Sequence, residues 1–387
     1  MLSLGEKPLT SRDRGVSAAL VTALGGGGDV PPPFAVRRFS ALPSLSYEAG
    51  DLDTGVPVER DFGAHVDQTN YSVVVADRVV VKWLTPPAAL PHPAPDLLAH
   101  LAGAGFRDTA PPYTALTRVD GAGETLLALV TGYLPEARDG WEWCADEAAS
   151  GRTAFAEALG RLAADLHLAL STFPPPSIAP TPPAVTPSFG PAERAEQALA
   201  EALALTDGED GAWLAGRAGA LRAELAPLTR PITTPLIRIH GDLHVGQILR
   251  WRDGYAVIDF DGNPTVTEAA PYQPAARDLA QLATSLEHVA QVAIKRRGTP
   301  PRQALDWAGE AREILLAAYR NRLAERGRPD LLDDSLLRPF EIEQECRELV
   351  YAARHLPRWR YAPMGVLRAR YPLNPEPGQA DTSEETP

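Results

Sequence analysis

The sequence predicts an α+β protein of two lobes, a small β-rich N-lobe and a larger, mostly helical C-lobe. Three observations lead there. At 387 residues the chain is long for one hydrophobic core and comfortable for two. Its first half carries β-rich runs, "NYSVVVADRVVVKWL", "LTRV" and "TLLALVTGYL". After Trp141 the composition turns to Ala/Leu segments whose apolar residues recur at three and four, as amphipathic helices require.

Taken in order, residues 1–60 read as an N-terminal cap, with a helix near Arg14 to Leu24 and a "GGGG" break. That break is no Walker loop, because no Gly-Lys-Ser/Thr follows it. Residues 61–135 form the N-lobe. Two strands meet at Ala76-Asp77, a hairpin signal. Next, "PPAALPHPAPDLLAHLAGAGF" leads into a helix with Asp96 in its first turn and Gly105 near its end, and two further strands follow. Residues 136–374 form the C-lobe. Three helical stretches are interrupted by "STFPPPSIAPTPPAVTPSFGP", too rich in proline for helix or central strand and read as a surface linker. Helices are expected around 276–296, 303–326 and 338–354, and the polar residues 375–387 as a disordered tail.

Bulk charge excludes some functions. A formal net charge of −13 leaves no general electrostatic footprint for nucleic acid or an anionic membrane, so a phosphate-bearing ligand has to be held locally. No segment reaches about 18 uninterrupted apolar residues, and Cys144 and Cys346 stand far apart without metal-ligand spacing. The expectation is a soluble cytoplasmic protein acting as a monomer or weak dimer. Lys7, Lys82 and Lys295 are the only lysines, which draws attention to Lys82 within the apolar "RVVVKWL". Its bland alternative is a lysine snorkelling from an edge strand.

The densest chemistry lies in "IRIHGDLHVGQILRWRDGYAVIDFDGNP", Ile237 to Pro264. Polar residues at a turn explain Asp253-Gly254 but not His240, Asp242, Gln247, Asp259 or Asp261. A three-residue loop Arg252-Asp253-Gly254 would set Trp251 opposite Tyr255 and Gln247 opposite Asp259. Directly paired residues share a face of the sheet, so Gln247 and Asp259 would converge on one ion. A two-residue turn would send them to opposite faces. Oxygen donors suit Mg²⁺. His240 and His244 are four apart, a spacing that matters on a helix rather than on a strand and loop, so His240 is expected to brace the loop through the backbone. Asp242 precedes Gln247 by five positions, the spacing of His-x-Asp-x-x-x-x-Asn catalytic loops, and Asp259-Phe260-Asp261-Gly262 follows 17 residues after Asp242, beside the kinase Asp-Phe-Gly.

With these motifs in this order, the chain resembles the aminoglycoside phosphotransferase-type kinases. Within them it is similar to the branch of maltokinases and maltokinase-like bacterial glucosamine kinases, through "QTNYSVVVADRVVVKWL", "ARDGWEW", "LGRLAADLHLAL", "HGDLHVGQILR" and "ECRELVYAARHLPRW". The resemblance covers roughly residues 30 to 370 and implies a two-lobed protein-kinase-like fold, ATP at the hinge and Mg²⁺ in the cleft. It makes Asp242 the catalytic base, Gln247 and Asp259 metal ligands, and Asp261 a ligand to a second ion or a brace. Lys82 would bind the ATP phosphates, paired with Asp96. Gln68, Asn70 and Ser72 would belong to the turn covering those phosphates, and Val130, Gly132 and Leu134 to the hinge. Gln247 stands where most relatives have Asn, a change maltokinases share; Asp261 stands where maltokinases tend to have Glu.

For the acceptor, "FEIEQECRELVYAARHLPRW" reads as a helix with Glu341, Glu345 and Glu348 on one face. A solvated acidic face is the bland alternative. Carboxylates beside a Trp359 platform also suit a cationic sugar, with Asp139 and Trp141 at the rim. This tilt and the resemblance point to glucosamine phosphorylated on its 6-hydroxyl, ahead of a maltokinase or an aminoglycoside kinase. A nucleotide-binding pseudokinase serving as an interaction module is the alternative from another class, and the intact set Lys82, Asp242, Gln247 and Asp259 argues against it.

Overall fold

The structure, a computed structural model, describes residues 10–27, 30–43, 59–61, 70–121, 123–174, 190–263 and 271–372, with the backbone of a short pair, β1 (Ser3–Leu4) and β2 (Lys7–Pro8). Gln68, most of the proline-rich linker and the C-terminal tail lie outside these residues.

The N-lobe is a six-stranded antiparallel sheet. Its strands are β3 (Phe34–Arg38), β4 (Glu59–Asp61), β5 (Tyr71–Val75), β6 (Val79–Ala89), β7 (Pro112–Asp120) and β8 (Gly123–Gly132), in the order β3-β7-β8-β6-β5-β4. Ala76 and Asp77 both take positive φ, 52° and 51°, and the Arg78 amide closes the β5–β6 turn on the Val75 carbonyl at 3.1 Å. Such a primed turn matches the twist of the strands it joins. Alternation along β6 buries Val79, Val81 and Trp83 against helix α1 (Val16–Gly25), through Val16, Val21 and Leu24. Trp83 Nε1 also donates to Ser17 Oγ of α1 at 3.0 Å. The period of two then turns Lys82 to the opposite face, toward the C-lobe. Helix α2 (Pro93–Gly103) packs there through Leu97, Leu98 and Leu101.

The C-lobe contains α3 (Gly140–Ala149), α4 (Phe155–Leu170), α5 (Pro191–Leu205) and α6 (Gly208–Leu225). After them come β9 (Ile237–Arg238), the hairpin β10 (Ile248–Trp251) and β11 (Gly254–Val257), and β12 (Tyr272–Gln273), antiparallel to β9. The chain closes with α7 (Ala276–Val292), α8 (Pro301–Glu325), α9 (Leu337–Arg354) and α10 (Tyr361–Arg370). Helix α7 is buried nearly all round, between α3, α8, α9 and α10. Gly160 lets α4 and α8 cross closely, since a Cβ there would meet the Leu315 carbonyl oxygen at 2.2 Å. The Val257 amide donates to the Asp108 carbonyl at 2.8 Å, fastening the hairpin to the N-lobe.

The hairpin register corrects the sequence reading. Trp251 faces Gly254 and Ile248 faces Val257, so the turn is the two residues Arg252 and Asp253. Gly254, at φ +136°, enters the ladder as a strand residue instead of closing the loop. Gln247 and Asp259 are therefore not a cross-strand pair; the Gln247 carbonyl accepts from the Ile258 amide at 2.9 Å. Gln247 leaves the ladder in a 3₁₀ turn, Val245–Gln247, and Asp259 leaves it at φ +65°. Among the described residues no helix is long and apolar enough to cross a membrane.

Candidate active site

The loop after β9 is anchored by Ile237, Ile239, Leu243 and Val245, all buried, and its polar residues project between them. His240 braces it as expected. Its Nε2–H donates to the Ile258 carbonyl at 3.0 Å, and its Nδ1 accepts from the Asp242 amide at 3.3 Å. Beneath, Asp278 of α7 is wholly buried and accepts from the amides of His240 at 2.7 Å and Gly241 at 3.0 Å. His167 Nε2 reaches the same carboxylate at 3.3 Å, and the Tyr319 hydroxyl bonds His167 Nδ1 at 2.7 Å. Burial pushes the Asp278 carboxyl up, but the His167 ring and the Gly241 amide outweigh it and hold it below the usual carboxylate range.

Asp242 is held asymmetrically. Its Oδ1 accepts from Gln281 Nε2 at 2.7 Å and Asn263 Nδ2 at 3.0 Å. Oδ2 lies 3.8 Å from His244 Nε2, beyond hydrogen-bond reach. His244 Nδ1 accepts from the Gly246 amide at 3.0 Å, and its ring stacks on Trp141 at 5.6 Å and 30°.

Lys82 bridges the lobes. Its Nζ lies 2.6 Å from Asp259 Oδ1 and 2.7 Å from Asp261 Oδ2, which overturns the snorkelling alternative. Burial acts against the ammonium, but Asp259 and Asp261 outweigh it and hold its pKa above the usual lysine value. For Asp259 burial pushes the carboxyl up, and Lys82 more than reverses this. The expected pairing of Lys82 with Asp96 does not form. Asp96 pairs with Arg37, because β3 lies alongside β7 and brings Arg37 over the first turn of α2. Asn70 Nδ2 donates to Asp261 Oδ2 at 3.1 Å, and its Oδ1 accepts from the Thr85 amide at 3.2 Å. Ser72 pairs with Lys82 across β5 and β6. At the end of β8 Val130 and Leu134 are buried, while the amides of Gly132 and Tyr133 donate to the carbonyls of Pro111 at 2.8 Å and Arg78 at 2.9 Å. Those two amides are committed to the protein itself.

Asp259 and Asp261, which meet on Lys82, offer carboxylate oxygens, as a hard divalent cation requires, whereas the hairpin register does not bring Gln247 opposite Asp259. Among the described residues, Asp261 Oδ1 is buried with no hydrogen-bond partner. An orphaned carboxylate oxygen next to Asp259 fits a site for Mg²⁺.

On the acceptor side, α9 overturns the solvated-face alternative for Glu341 and Glu345, both buried. Glu341 pairs with Arg312 and, at 3.3 Å, with Arg370. Glu345 Oε2 meets His288 Nε2 at 3.1 Å, while its Oε1 is buried without a partner among the described residues. Burial raises the Glu345 carboxyl; it also opposes charge on His288, where Glu345 more than compensates and raises the imidazole. Glu348 accepts from Trp359 Nε1 at 2.7 Å and Gln344 Nε2 at 3.0 Å. Trp359 meets Trp141 edge-on at 5.5 Å, so Asp242, His244, Trp141, Trp359 and Glu348 follow one another along a continuous wall. Asp139 supports that wall: it caps α3, accepting from the amides of Trp141 at 2.9 Å and Glu142 at 3.3 Å. Sequence reasoning missed Asn263, Asp278, Gln281 and His288. The three α7 residues did leave a signal, being polar groups at core-like spacing on a helix that is buried.

A sheet that delivers one lysine onto two aspartates, above a helical lobe whose loop presents a third, defines a two-lobed phosphotransferase of kinase-like fold. Residues 59–329 match the profile of the APH phosphotransferase enzyme family, and the chain belongs to that family. It is 40% identical over 346 residues to the glucosamine kinase of Streptacidiphilus jiangxiensis, covering 85% of this chain and 77% of that one. With the glucosamine kinase of Mycolicibacterium smegmatis (strain ATCC 700084 / mc(2)155) it shares 39% identity over 316 residues, covering 79% and 78%. A solved structure of glucosamine kinase in complex with glucosamine, ADP and inorganic phosphate superposes with a TM-score of 0.72 at 35% identity, covering 92% of this chain and 85% of that one.

Proposed function

We propose that this protein is an ATP- and Mg²⁺-dependent glucosamine kinase forming glucosamine 6-phosphate. The observation that carries the reading is the wall joining Asp242 to Trp359 and the α9 carboxylates, because it sets a base beside groups suited to a cationic sugar. Asp242 accepts the proton of the acceptor hydroxyl as that oxygen bonds to the γ-phosphorus, and the bond from phosphorus to the departing ADP oxygen breaks. Lys82 neutralises phosphate charge, which implies that Asp259 and Asp261 release it when nucleotide binds. Gln247, Asp259 and Asp261 would hold Mg²⁺, whose charge offsets that of the phosphates. Glu345 and Glu348 face the amino group. A buried carboxylate oxygen such as Glu345 Oε1, which has no partner among the described residues, is costly unless a donor meets it, and an ammonium supplies one.

We place the lobe boundary at residues 135–136, supported by the end of β8 at Gly132 and the start of α3 at Gly140. A cytoplasmic setting is consistent with two buried free thiols, Cys144 and Cys346. The deciding experiment is ADP release with glucosamine, glucose, N-acetylglucosamine, maltose and kanamycin. Glucosamine should be preferred; equal turnover of glucose refutes the acidic-pocket reading, and maltose or kanamycin as best substrate replaces the assignment.

A further inference from the structure

We infer that Gln281 and Asn263 are positioning residues that select one oxygen of Asp242, Oδ2, to take the acceptor proton. The inference rests on the reading of Asp242 as general base. An ionised carboxylate offers about two lone-pair sites on each oxygen. On Oδ1 both are filled, by Gln281 Nε2 at 2.7 Å and Asn263 Nδ2 at 3.0 Å. Gln281 projects from the buried helix α7 and is itself 7% exposed, so its amide has little room to swing. Asn263 comes from a separate segment, two residues past Asp261. Two donors from separate elements fix the rotation of the carboxylate.

The same contacts withdraw Oδ1 from chemistry, because lone pairs already engaged by N–H groups are poor proton acceptors. Oδ2 has no hydrogen-bond donor among the described residues, and its neighbour is His244 Nε2 at 3.8 Å. Since His244 stacks on Trp141 and Trp141 meets Trp359, Oδ2 lies at the end of the aromatic wall. The acceptor hydroxyl therefore approaches from the His244 side. Its O–H bond breaks, the proton passes to Oδ2, and the oxygen bonds to phosphorus as ADP leaves. Neutral amides are suited to orienting the carboxylate, whereas an arginine or lysine in their place would hold it too firmly ionised to accept a proton.

The test is a double-mutant cycle read by single-turnover kinetics. Gln281→Met keeps the length of the side chain and removes the N–H donor. We expect kcat to fall about 10- to 100-fold, as for a modest misplacement of a reacting group, with KM for ATP and glucosamine unchanged. In an Asp242→Asn background the same substitution should cost almost nothing, because the oxygen it orients no longer takes a proton. Should Gln281→Met fail to fold, Asn263→Ala is read by the same cycle. A wild-type kcat in the single variant overturns the clamp, and so does an equal loss in both backgrounds, the mark of a merely structural role. If Asp242→Asn itself keeps wild-type turnover, the general-base reading falls and takes the clamp with it.

Discussion

Replacing Asp278 with alanine should both destabilise the protein and disable its catalytic loop. The carboxylate is wholly buried and takes the amides of His240 and Gly241 at 2.7 and 3.0 Å. Alanine leaves both amides without an acceptor, that of His240 buried and that of Gly241 half-buried. Each orphaned buried donor costs about 1–3 kcal/mol, so the pair costs about 2–6 kcal/mol, a large part of a total stability of about 5–15 kcal/mol. At about 2 °C per kcal/mol for a chain of this size, the melting temperature should drop by about 4–12 °C. Tryptophan fluorescence during heating measures it, and ADP release well below the transition should show kcat reduced in the folded variant. The effect should also depend on pH. The Asp278 carboxyl is depressed in the folded protein, so its contribution is present above the unfolded value of about 3.9 and is lost as pH falls through the lower folded value. The gap between wild type and variant should thus be widest at pH 7 and narrow as pH falls below about 4. A melting temperature within the error of wild type at pH 7, or a gap that does not change with pH, would refute the anchoring role of Asp278.

Asp242→Asn should lower kcat about 10²- to 10⁴-fold while ATP still binds; retention of more than about a third of turnover removes it as the base. Lys82→Met should raise KM for ATP, and unchanged ATP kinetics would deny the lysine a phosphate contact. Glu345→Gln should cut kcat/KM for glucosamine about 5- to 150-fold, the kinetic equivalent of about 1–3 kcal/mol, and narrow its advantage over glucose; parallel losses for both sugars would count against an ammonium partner. In Gly140→Ala the new Cβ would lie 1.7 Å from the Val245 carbonyl oxygen, a backbone atom that cannot swing aside, so both activity and melting temperature should fall. A fully active Gly140→Ala enzyme would show that α3 and the 3₁₀ turn are free to separate.

The parts of the site that could be read from sequence were those where polar residues break an apolar pattern on a strand or loop. His240, Asp242, Asp259 and Asp261 stand out because their neighbours are Ile, Val, Leu and Phe, and Lys82 for the same reason. The hairpin register was not legible, since it turns on whether Gly254 closes the loop or joins the ladder, and glycine allows both. Asp96 could serve equally as a helix-start residue or an ion partner; the edge strand that supplies Arg37 is placed beside β7 only by long-range pairing. Asp278, Gln281 and His288 escaped notice because polar residues on an amphipathic helix normally mark its wet side, and α7 has none to speak of.

That helix has a mechanical consequence. Asp278, Gln281, Ser285 and His288 fall within an arc of about 80° along about 15 Å of α7. In turn they hold the amides of His240 and Gly241, the base Asp242, the Val245 amide at 3.0 Å, and Glu345. One rigid rod thus acts as a jig that sets the spacing between the proton acceptor and the carboxylate assigned to the sugar's amino group. Inserting or deleting a single residue between Asp278 and His288 would rotate half the jig by about 100° and separate the two functions at a stroke. A point change at His288, at the far end of the rod, could instead retune the acceptor pocket while the base stays where it is.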